Sequence, residues 1–501
     1  MKHLLDLTED ILIRIISALD GHSILDCREG SSQLAHLVDD TVALQYILEL
    51  ALTGMIDGPP SSATVRDRLD ALRAYRMSWD KGEHPVSEVY IGSSRLLFSG
   101  NATHVAWSDN KTRELKVYRP AGVFRGIQER REVYEEWKRL CTSRIGQLDF
   151  LISSGQDMVM HFWTWGPAQT HPGREYAECT FASLAENFGP HPLAARPTFN
   201  TYVPLPLVPP GTLLRMQYLG DLVAWAASGA GLVDMLVMNW KTGTLLWHFR
   251  LLTTNHVAVM RETDFTISLY RIDPHASSDC SLLTANSCHC VLQLPPRTGR
   301  VRRQHVDSTI GHPPEYSSDT RPLFLNDPSL TVFVVHIALT YTGPRGMATE
   351  ERSLLFIPID TVIRLCTGTA EVSNEGRIVP WAEWGPRGTR MMRVSHGTSF
   401  PTPLGAQVAV SSMDEERRAQ LVTIYEIYPL ANTDWQSSIV DRTADRTKSD
   451  WLKEAQCWKD PVETTYSLRT TTRLVPYGPQ ENMMVSRSVW LSHDGLVLVR
   501  S

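Results

Sequence analysis

LLRMQYLGDLVAWAASGAGLVDMLVMNWKTGTLLWHF, residues 213–249, decides the fold class of this chain. Apolar and polar residues alternate in short runs separated by the turn sequences LGD, SGAG and KTG, which predicts four strands. The predicted strands are 213–218, 222–227, 234–240 and 244–249. Four consecutive antiparallel strands in about 40 residues match the repeat length of a β-propeller blade.

Similar strand pairs recur along the rest of the chain and predict the same architecture from residue 86 onward. They lie at 257–271 with 288–294, 331–359, 406–428 and 483–499. Residues 86–501 have room for about nine blades of ~45 residues. Irregular inserts near 121–145, 272–286, 297–320 and 431–460 reduce the expected number to seven or eight. A two-sheet sandwich or two smaller β domains are the alternatives.

The segment before residue 86 shows helical spacing almost throughout and no strand pattern. Thr8 and Ser23 are candidate caps for a first and a second helix, Gly21 is the predicted end of the first, and Gly54 is the predicted end of the fourth. The chain is therefore predicted to be an α+β multidomain protein. Its predicted parts are an all-α domain at 1–54, a helical linker at 55–85 and an all-β propeller at 86–501.

The first helix carries a large apolar face at an unusual place, close to the N-terminus and among acidic residues. At 100° per residue, five side chains fall within an arc of about 140°; they are Ile11, Leu12, Ile15, Ile16 and Leu19. Residues 1–60 hold three Lys or Arg and ten Asp or Glu, which gives this segment a charge of −7. The net charge of the whole chain is −6, so the remaining residues are near neutral. A helix of this length is marginal in water alone, so something must cover its apolar face.

Composition limits the function classes. The near-neutral body lacks the basic excess that nucleic acid binding requires. The longest apolar run, LTVFVVHIAL at 330–339, is too short to span a bilayer, and no membrane partner is expected. Eight cysteines without paired spacing, and an N-terminal apolar run broken by acidic residues, favour a reducing intracellular location, cytoplasmic or nuclear.

The N-terminal stretch resembles the F-box, the helical module by which substrate receptors attach to the small adaptor subunit of cullin-RING ubiquitin ligases. LTEDILIRIISAL, residues 7–19, matches the family opening L-P-x-E-I-L-x-x-I-F-x-x-L, and DGHSILDCR, residues 20–28, matches its second helix. The later helices and VPWAEWGPRGTR at 379–390 resemble the large fungal group of F-box proteins with propeller-like C-terminal regions. The residues that this resemblance assigns to adaptor binding are Leu7, Thr8, Ile11, Leu12, Ile15, Ile16, Leu19 and Leu25.

The sequence departs from the family pattern at several positions. Thr8 replaces the usual proline, and Gly30, Ser31 and Leu34 replace the usual Val, Cys and Trp. The loss of apolar volume at Gly30 and Ser31 predicts weaker adaptor binding. An amphipathic helix is more often the edge of an internal core, so a helical bundle that merely caps the β body is the competing interpretation.

No enzyme signature or convincing metal site is found in the sequence. The best metal candidate is CSLLTANSCHC, but Cys280, Cys288, His289 and Cys290 lack paired C-x-x-C spacing, and two buried cysteines on one face of a strand are the preferred interpretation. The cluster of Arg297, Arg300, Arg302 and Arg303 is interpreted as an exposed loop, with a nuclear-import or acidic-partner patch as the alternative.

Five tryptophans in or near predicted strands are interpreted as packing between blades, with a ligand-contacting rim loop as the alternative for the last two; they are Trp225, Trp240, Trp247, Trp381 and Trp384.

The sequence thus predicts a non-catalytic substrate receptor that needs no cofactor or metal. Its helices bind the ligase adaptor, and loops at the top face or central channel of the propeller hold an unknown protein substrate. The alternatives are a propeller interaction scaffold with a structural helical head, and a propeller hydrolase or oxidoreductase with an unrecognised site.

Overall fold

The structure is a computed structural model, and its architecture is described for most of the chain. The described residues are 4–91, 98–100, 103–108, 112, 114–137, 149–153, 155–167, 174–204, 214–229, 232–247, 250–253, 256–261, 264–271, 288–316, 320–342, 347–367, 377–395, 397–430, 457–460, 462–477 and 487–500.

Seven α-helices occur in the described part of the chain, five of them at the N-terminus. They are α1 (Glu9–Ile16), α2 (Gly21–Gly30), α3 (Ser32–Asp40), α4 (Val42–Thr53), α5 (Val65–Asp80), α6 (Ile359–Thr367) and α7 (Trp381–Gly388). The predicted stop at Gly54 is confirmed, because this residue follows α4 with a left-handed φ of 66°. Helix α5 starts at a capping box in which Thr64 and Asp67 satisfy each other's backbone N–H groups.

The strands of the described residues form seven radial sheets, so the protein is a seven-bladed β-propeller. Blade 1 consists of β3 (Phe98–Gly100), β4 (Val105–Ser108), β5 (Leu115–Arg119) and β6 (Arg130–Tyr134), and blade 2 of β7 (Asp149–Ser153), β8 (Met158–Pro167), β9 (Arg174–Ser183) and β10 (Thr198–Pro204). Blade 3 consists of β11 (Leu214–Leu219), β12 (Leu222–Gly229), β13 (Leu232–Asn239) and β14 (Thr244–Trp247), and blade 4 of β15 (Arg250–Thr253), β16 (His256–Arg261), β17 (Thr266–Arg271), β18 (Cys288–Gln293) and β23 (Arg377–Val379). Blade 5 consists of β19 (Val301–Ile310), β21 (Val332–Thr342), β22 (Ala348–Pro358) and β24 (Arg390–Val394), and blade 6 of β25 (Thr402–Leu404), β26 (Gln407–Asp414), β27 (Ala419–Glu426) and β28 (Arg469–Pro476). Blade 7 consists of β29 (Arg487–Leu491), β30 (Leu496–Arg500) and β2 (Val86–Tyr90).

The meander predicted from residues 213–249 is confirmed as blade 3, with strand ends that differ by at most two residues. Two of the predicted inserts are wrong in part. The insert at 297–320 contains the ten-residue strand β19, and the insert at 121–145 contains β6. Both strands carry a charged, exposed stretch that masks the period-2 pattern in the sequence. The predicted insert at 272–286 and residues 431–456 of the last one lie outside the described residues.

Apolar clusters between adjacent sheets hold the blades together. Met160 and Phe181 of blade 2 pack with Met238 and Trp240 of blade 3, all fully buried. The ring closes because β2 pairs in parallel with β30, and Val89 of β2 packs with Val105 of blade 1. Strand β2, which follows the N-terminal helices, therefore completes the last blade.

Helices α4 and α5 are packed onto blades 6 and 7. Leu72 and Trp79 of α5 share one cluster with Ile424 of blade 6 and Leu498 of blade 7, and all four are buried. The two helices are joined to each other by the fully buried Glu49 of α4, whose Oε1 lies 3.0 Å from Nε of Arg76. The second half of the helical segment is thus part of the propeller body.

The expectation of no strand before residue 86 is wrong for three residues. Strand β1 (Met55–Asp57) lies inside the predicted helical linker and pairs antiparallel with β20 (Phe324–Asn326). Three residues are too few to show a period, and the partner strand lies far away in sequence, so no local signal marks this pair.

A connecting segment crosses the centre of the ring. Glu315 accepts hydrogen bonds from Nε2 of Gln156 in blade 2, at 3.2 Å, and from the backbone N–H of Gly220 in blade 3, at 3.0 Å. The hydroxyl of Tyr316 lies 3.0 Å from Nδ1 of His493 in blade 7. Contacts to blades on opposite sides of the ring place residues 311–316 across the axis.

Candidate protein-binding surface

Helix α1 begins after the predicted cap residue Thr8 but ends earlier than the sequence predicts. Thr8 is the N-cap residue in extended conformation, and its carbonyl accepts from the N–H groups of Ile11 and Leu12, but its side chain makes no cap hydrogen bond. The helix ends at Ile16, and Gly21 begins α2 rather than ending α1. The cap of α2 is also not Ser23 but Asp20, whose carboxylate is a stronger acceptor and takes the Ser23 N–H at 3.0 Å.

The residues assigned to adaptor binding divide between the interior and the surface of the helical segment. Leu12, Ile16 and Leu25 are buried in a cluster formed by α1 to α4. Leu7 and Leu19 are half-buried against the same cluster, and Thr8 is exposed. A partner reaches the three buried side chains only if the cluster opens.

Ile11 and Ile15 remain at the surface of α1. Their exposed fractions are 45 % and 39 %, and their spacing of four residues places them one turn apart on a single face. Leu4 and Leu5, in the 3-10 turn before α1, are 53 % and 38 % exposed. We call these four residues the α1 surface.

Acidic side chains flank the α1 surface. Asp6, Glu9 and Asp10 are exposed in or before the first turn of the helix, where negative charge is favourable next to the positive end of the helix dipole. The surface therefore combines exposed branched apolar side chains with negative charge, which suits a partner that has an apolar groove and basic residues.

Two of the residues that depart from the F-box pattern, Gly30 and Leu34, differ in their burial. Leu34 is buried in the α1 to α4 cluster, whereas Gly30 is exposed at the last residue of α2. The ion pair between Nε of Arg28 and Oδ1 of Asp39, at 2.8 Å, joins α2 to α3. The space that a larger residue fills at Gly30 in the family pattern is open here, since no atom lies within 4 Å of a Cβ added to Gly30.

The candidate metal residues are separated. Cys288 and Cys290 are buried on β18, as predicted, but the expectation that they share one face is wrong. A register shift between Leu269 and Tyr270 turns Cys288 toward the blade 3 cluster and leaves Cys290 in the blade 5 cluster. His289 is half-buried, Cys280 lies outside the described residues, and no group of three or more His, Cys, Asp or Glu within the described ranges is placed to hold a metal ion.

Polar groups converge on the propeller axis, but they are enclosed. Nε of Arg125 lies 3.0 Å from Oδ1 of Asp494, and both side chains are fully buried. Burial raises the pKa of the Asp494 carboxyl, and Arg125 opposes that shift. Burial, followed by the nearby Arg125, lowers the pKa of His493 well below its usual value. These groups join blades 1 and 7.

An open cleft of about 880 Å³ lies at one rim, beside blades 4 and 5. Its lining consists of the residues before β17, the end of β18, the turn before β19, α7, and Asp460, Val462 and Glu463. It therefore joins parts of the chain that are far apart in sequence. The interpretation of the arginine cluster as a loop is wrong for Arg302 and Arg303, which lie on β19, although both side chains are exposed as expected. Pairing with β21 extends this charged stretch into a strand.

Two tryptophans of the WAEWGPRG motif have different roles. They lie on the short helix α7 rather than on a strand; Trp384 is 3 % exposed and packs against blades 4 and 5, whereas Trp381 is half-buried and lines the cleft. Trp240 confirms the inter-blade packing interpretation. The side chains of Trp225 and Trp247 lie outside the described part.

Comparison with known proteins adds little to this description. No family model matches the sequence, and no curated protein matches it. The protein is similar to Hsv2p of Kluyveromyces lactis (8 % identity, 67 % of this chain and 92 % of that chain, TM-score 0.26) and to the WD40 domain of SCAP from fission yeast (8 %, 67 % and 71 %, TM-score 0.29). It is also similar to Hsv2 of Kluyveromyces marxianus (6 %, 74 % and 99 %, TM-score 0.25).

The fold and these surfaces define the class of the protein as a seven-bladed β-propeller with a helical segment packed on one face. Propellers present loops on a rigid ring, which is a common arrangement for binding other proteins. No helix of the described residues is long and apolar enough to cross a membrane.

Proposed function

We propose that this protein is a substrate receptor of a cullin-RING ubiquitin ligase, located in the cytoplasm or nucleus. The α1 surface binds the adaptor subunit, and the propeller holds a protein substrate. The observation that carries the proposal is the exposure of Ile11 and Ile15 on a helix whose Leu12 and Ile16 are buried.

The attachment of the helices to the propeller suits this role. A receptor works by holding a substrate lysine near the charged conjugating enzyme, which raises the effective concentration of the reacting groups. Helices α4 and α5 share a core with blades 6 and 7, so the end that carries α1 is held against the substrate-binding body. None of the protein's own side chains then needs to react.

The apolar surface that the free protein exposes to an adaptor is smaller than the surface of the five side chains of the predicted face. Burial of all five residues of the predicted face would contribute roughly 7–15 kcal/mol before association costs. Since Leu12 and Ile16 are already buried, the free protein offers chiefly Leu4, Leu5, Ile11 and Ile15. We therefore expect weaker adaptor binding than that of a receptor with the full apolar face.

A propeller scaffold with a purely structural helical head is the second candidate. It is favoured by the burial of Leu12, Ile16 and Leu25 in the cluster of α1 to α4. In that case the α1 surface has no partner, and its exposed isoleucines can be changed without effect on binding.

The test is binding of the full-length protein to purified adaptor by calorimetry. The variant Ile11→Asp with Ile15→Asp is expected to weaken binding at least a hundredfold. Its matched control is Val123→Asp with Leu193→Asp, which charges two apolar residues that are 66 % and 58 % exposed on other parts of the molecule. Absence of binding by the wild type, or equal binding by both variants, would remove the ligase role.

A further inference from the structure

The cleft beside blades 4 and 5 has an apolar floor and one apolar wall. The ring of Phe265 is 5 % exposed, and the guanidinium of Arg297 lies 4.6 Å from its centroid. The wall is Trp381, which packs edge-on against Trp384 with ring centroids 5.1 Å apart. The indole N–H of Trp384 donates to the carbonyl of Gln293 at 3.0 Å, so this wall is fixed to the end of β18.

Three carboxylates surround this apolar surface. Asp264, Asp460 and Glu463 line the cleft, are exposed, and make no ion pair with any residue in the described ranges. The cation in the lining is Arg297, whose guanidinium lies on Phe265. The lining therefore carries three negative charges and one positive charge, a net charge of −2.

Four further bases lie close in sequence to the cleft residues but outside the lining. Arg300, Arg302 and Arg303 are exposed, but none of them belongs to the lining. The same holds for Lys459, whose backbone N–H is bonded to Pro296 while its side chain is exposed. An acidic partner would bind these bases outside the cleft, whereas a basic partner would bind the three carboxylates inside it.

We propose that this cleft binds an extended, lysine- or arginine-rich segment of another protein. The aliphatic stems of such side chains pack against Trp381 and the apolar floor, and their charged ends reach the three carboxylates. A cation over the indole face of Trp381 adds a favourable interaction with the ring. That the segment belongs to the ligase substrate rests on the proposed function, whereas the binding itself does not.

The test is fluorescence anisotropy with a labelled decapeptide in which lysines alternate with leucine and proline. We expect it to bind the full-length protein, and we expect the peptide with glutamates in place of the lysines to bind at least tenfold more weakly. The triple variant Asp264→Asn, Asp460→Asn and Glu463→Gln is expected to weaken binding of the lysine peptide at least tenfold. Trp381→Ala is expected to weaken it without a change of charge.

The matched control removes the same charge elsewhere, with Glu186→Gln, Glu415→Gln and Glu416→Gln, three exposed residues away from the cleft. It is expected to bind the lysine peptide as the wild type does. Equal loss in both triple variants would show general attraction by an acidic protein and would overturn the proposal. Preferred binding of the glutamate peptide, which would assign the region to an acidic partner, would overturn it too. Adaptor binding by the cleft variant separates this result from the ligase role, since only the latter depends on the α1 surface.

Discussion

Buried histidines near the propeller axis show how single side chains make the fold sensitive to pH. His104 is 3 % exposed, and its Nδ1 lies 2.7 Å from the hydroxyl of Thr103. Burial lowers the pKa of His104 to about 4. The ring is therefore neutral in the folded protein over the range in which an exposed histidine, with a pKa of about 6.5, becomes charged.

Stability is expected to fall on acidification below about pH 6.5, because the unfolded state binds protons that the folded state does not. Each such histidine contributes up to about 1.4 kcal/mol per pH unit until its folded-state pKa is reached. The check is urea denaturation at several values between about pH 7 and pH 5. His104→Gln is expected to reduce the slope of the free energy of unfolding against pH. An unchanged slope in this variant would contradict the assignment.

Among the elements, helices with strong local signals were predicted well and their ends less well. The left-handed Gly54 after α4 was found because few residues other than glycine adopt that conformation. Gly21, by contrast, looked like a stop but begins a helix, since Asp20 just before it is the better cap. A glycine marks a possible boundary without saying on which side the helix lies.

Strands with strong local sequence patterns were also predicted better than strands without them. Blade 3 was recognised because its four strands are joined by short turns and alternate regularly. Strands β1 and β23 were missed because each pairs with a strand that is distant in sequence. Strand β19 was missed because its charged, exposed stretch hides the alternation. The cleft, whose lining joins residues 264 and 463, was not predicted as a whole, although the ligand-contacting loop considered as the alternative for Trp381 belongs to its lining. The exposed or buried state of each residue on α1 also depends on the packing of α2 to α4, which periodicity alone does not determine.

In the molecule as a whole, blades 1 and 7 are joined to strand β20 through Arg125. Its side chain pairs with Asp494 of blade 7, and its Nη1 donates to Oδ1 of Asn326, next to blade 5, at 3.0 Å. Its guanidinium also lies over the ring of Tyr75 of α5, 5.6 Å from the centroid. One side chain thus connects the last blade, strand β20 and the helices.

Arg125→Met is expected to destabilise the protein by about 3–5 kcal/mol, because it leaves the Asp494 carboxylate buried without its cation. Denaturant unfolding measures the change. The control is Arg131→Met, which removes a surface pair with Glu129 whose side chains are 72 % and 48 % exposed, and which we expect to cost less than about 1 kcal/mol. Similar losses in the two variants would show that the axial pair has no special structural role.

We propose that α1 keeps an apolar surface free for a partner while α4 and α5 hold it to the propeller. Hydrogen–deuterium exchange of the full-length protein, alone and with purified adaptor, measures this most directly. We predict slower exchange in residues 4–20 on addition of the adaptor and no change in blades 4 and 5. Unchanged exchange in residues 4–20, with adaptor in saturating excess, would contradict it.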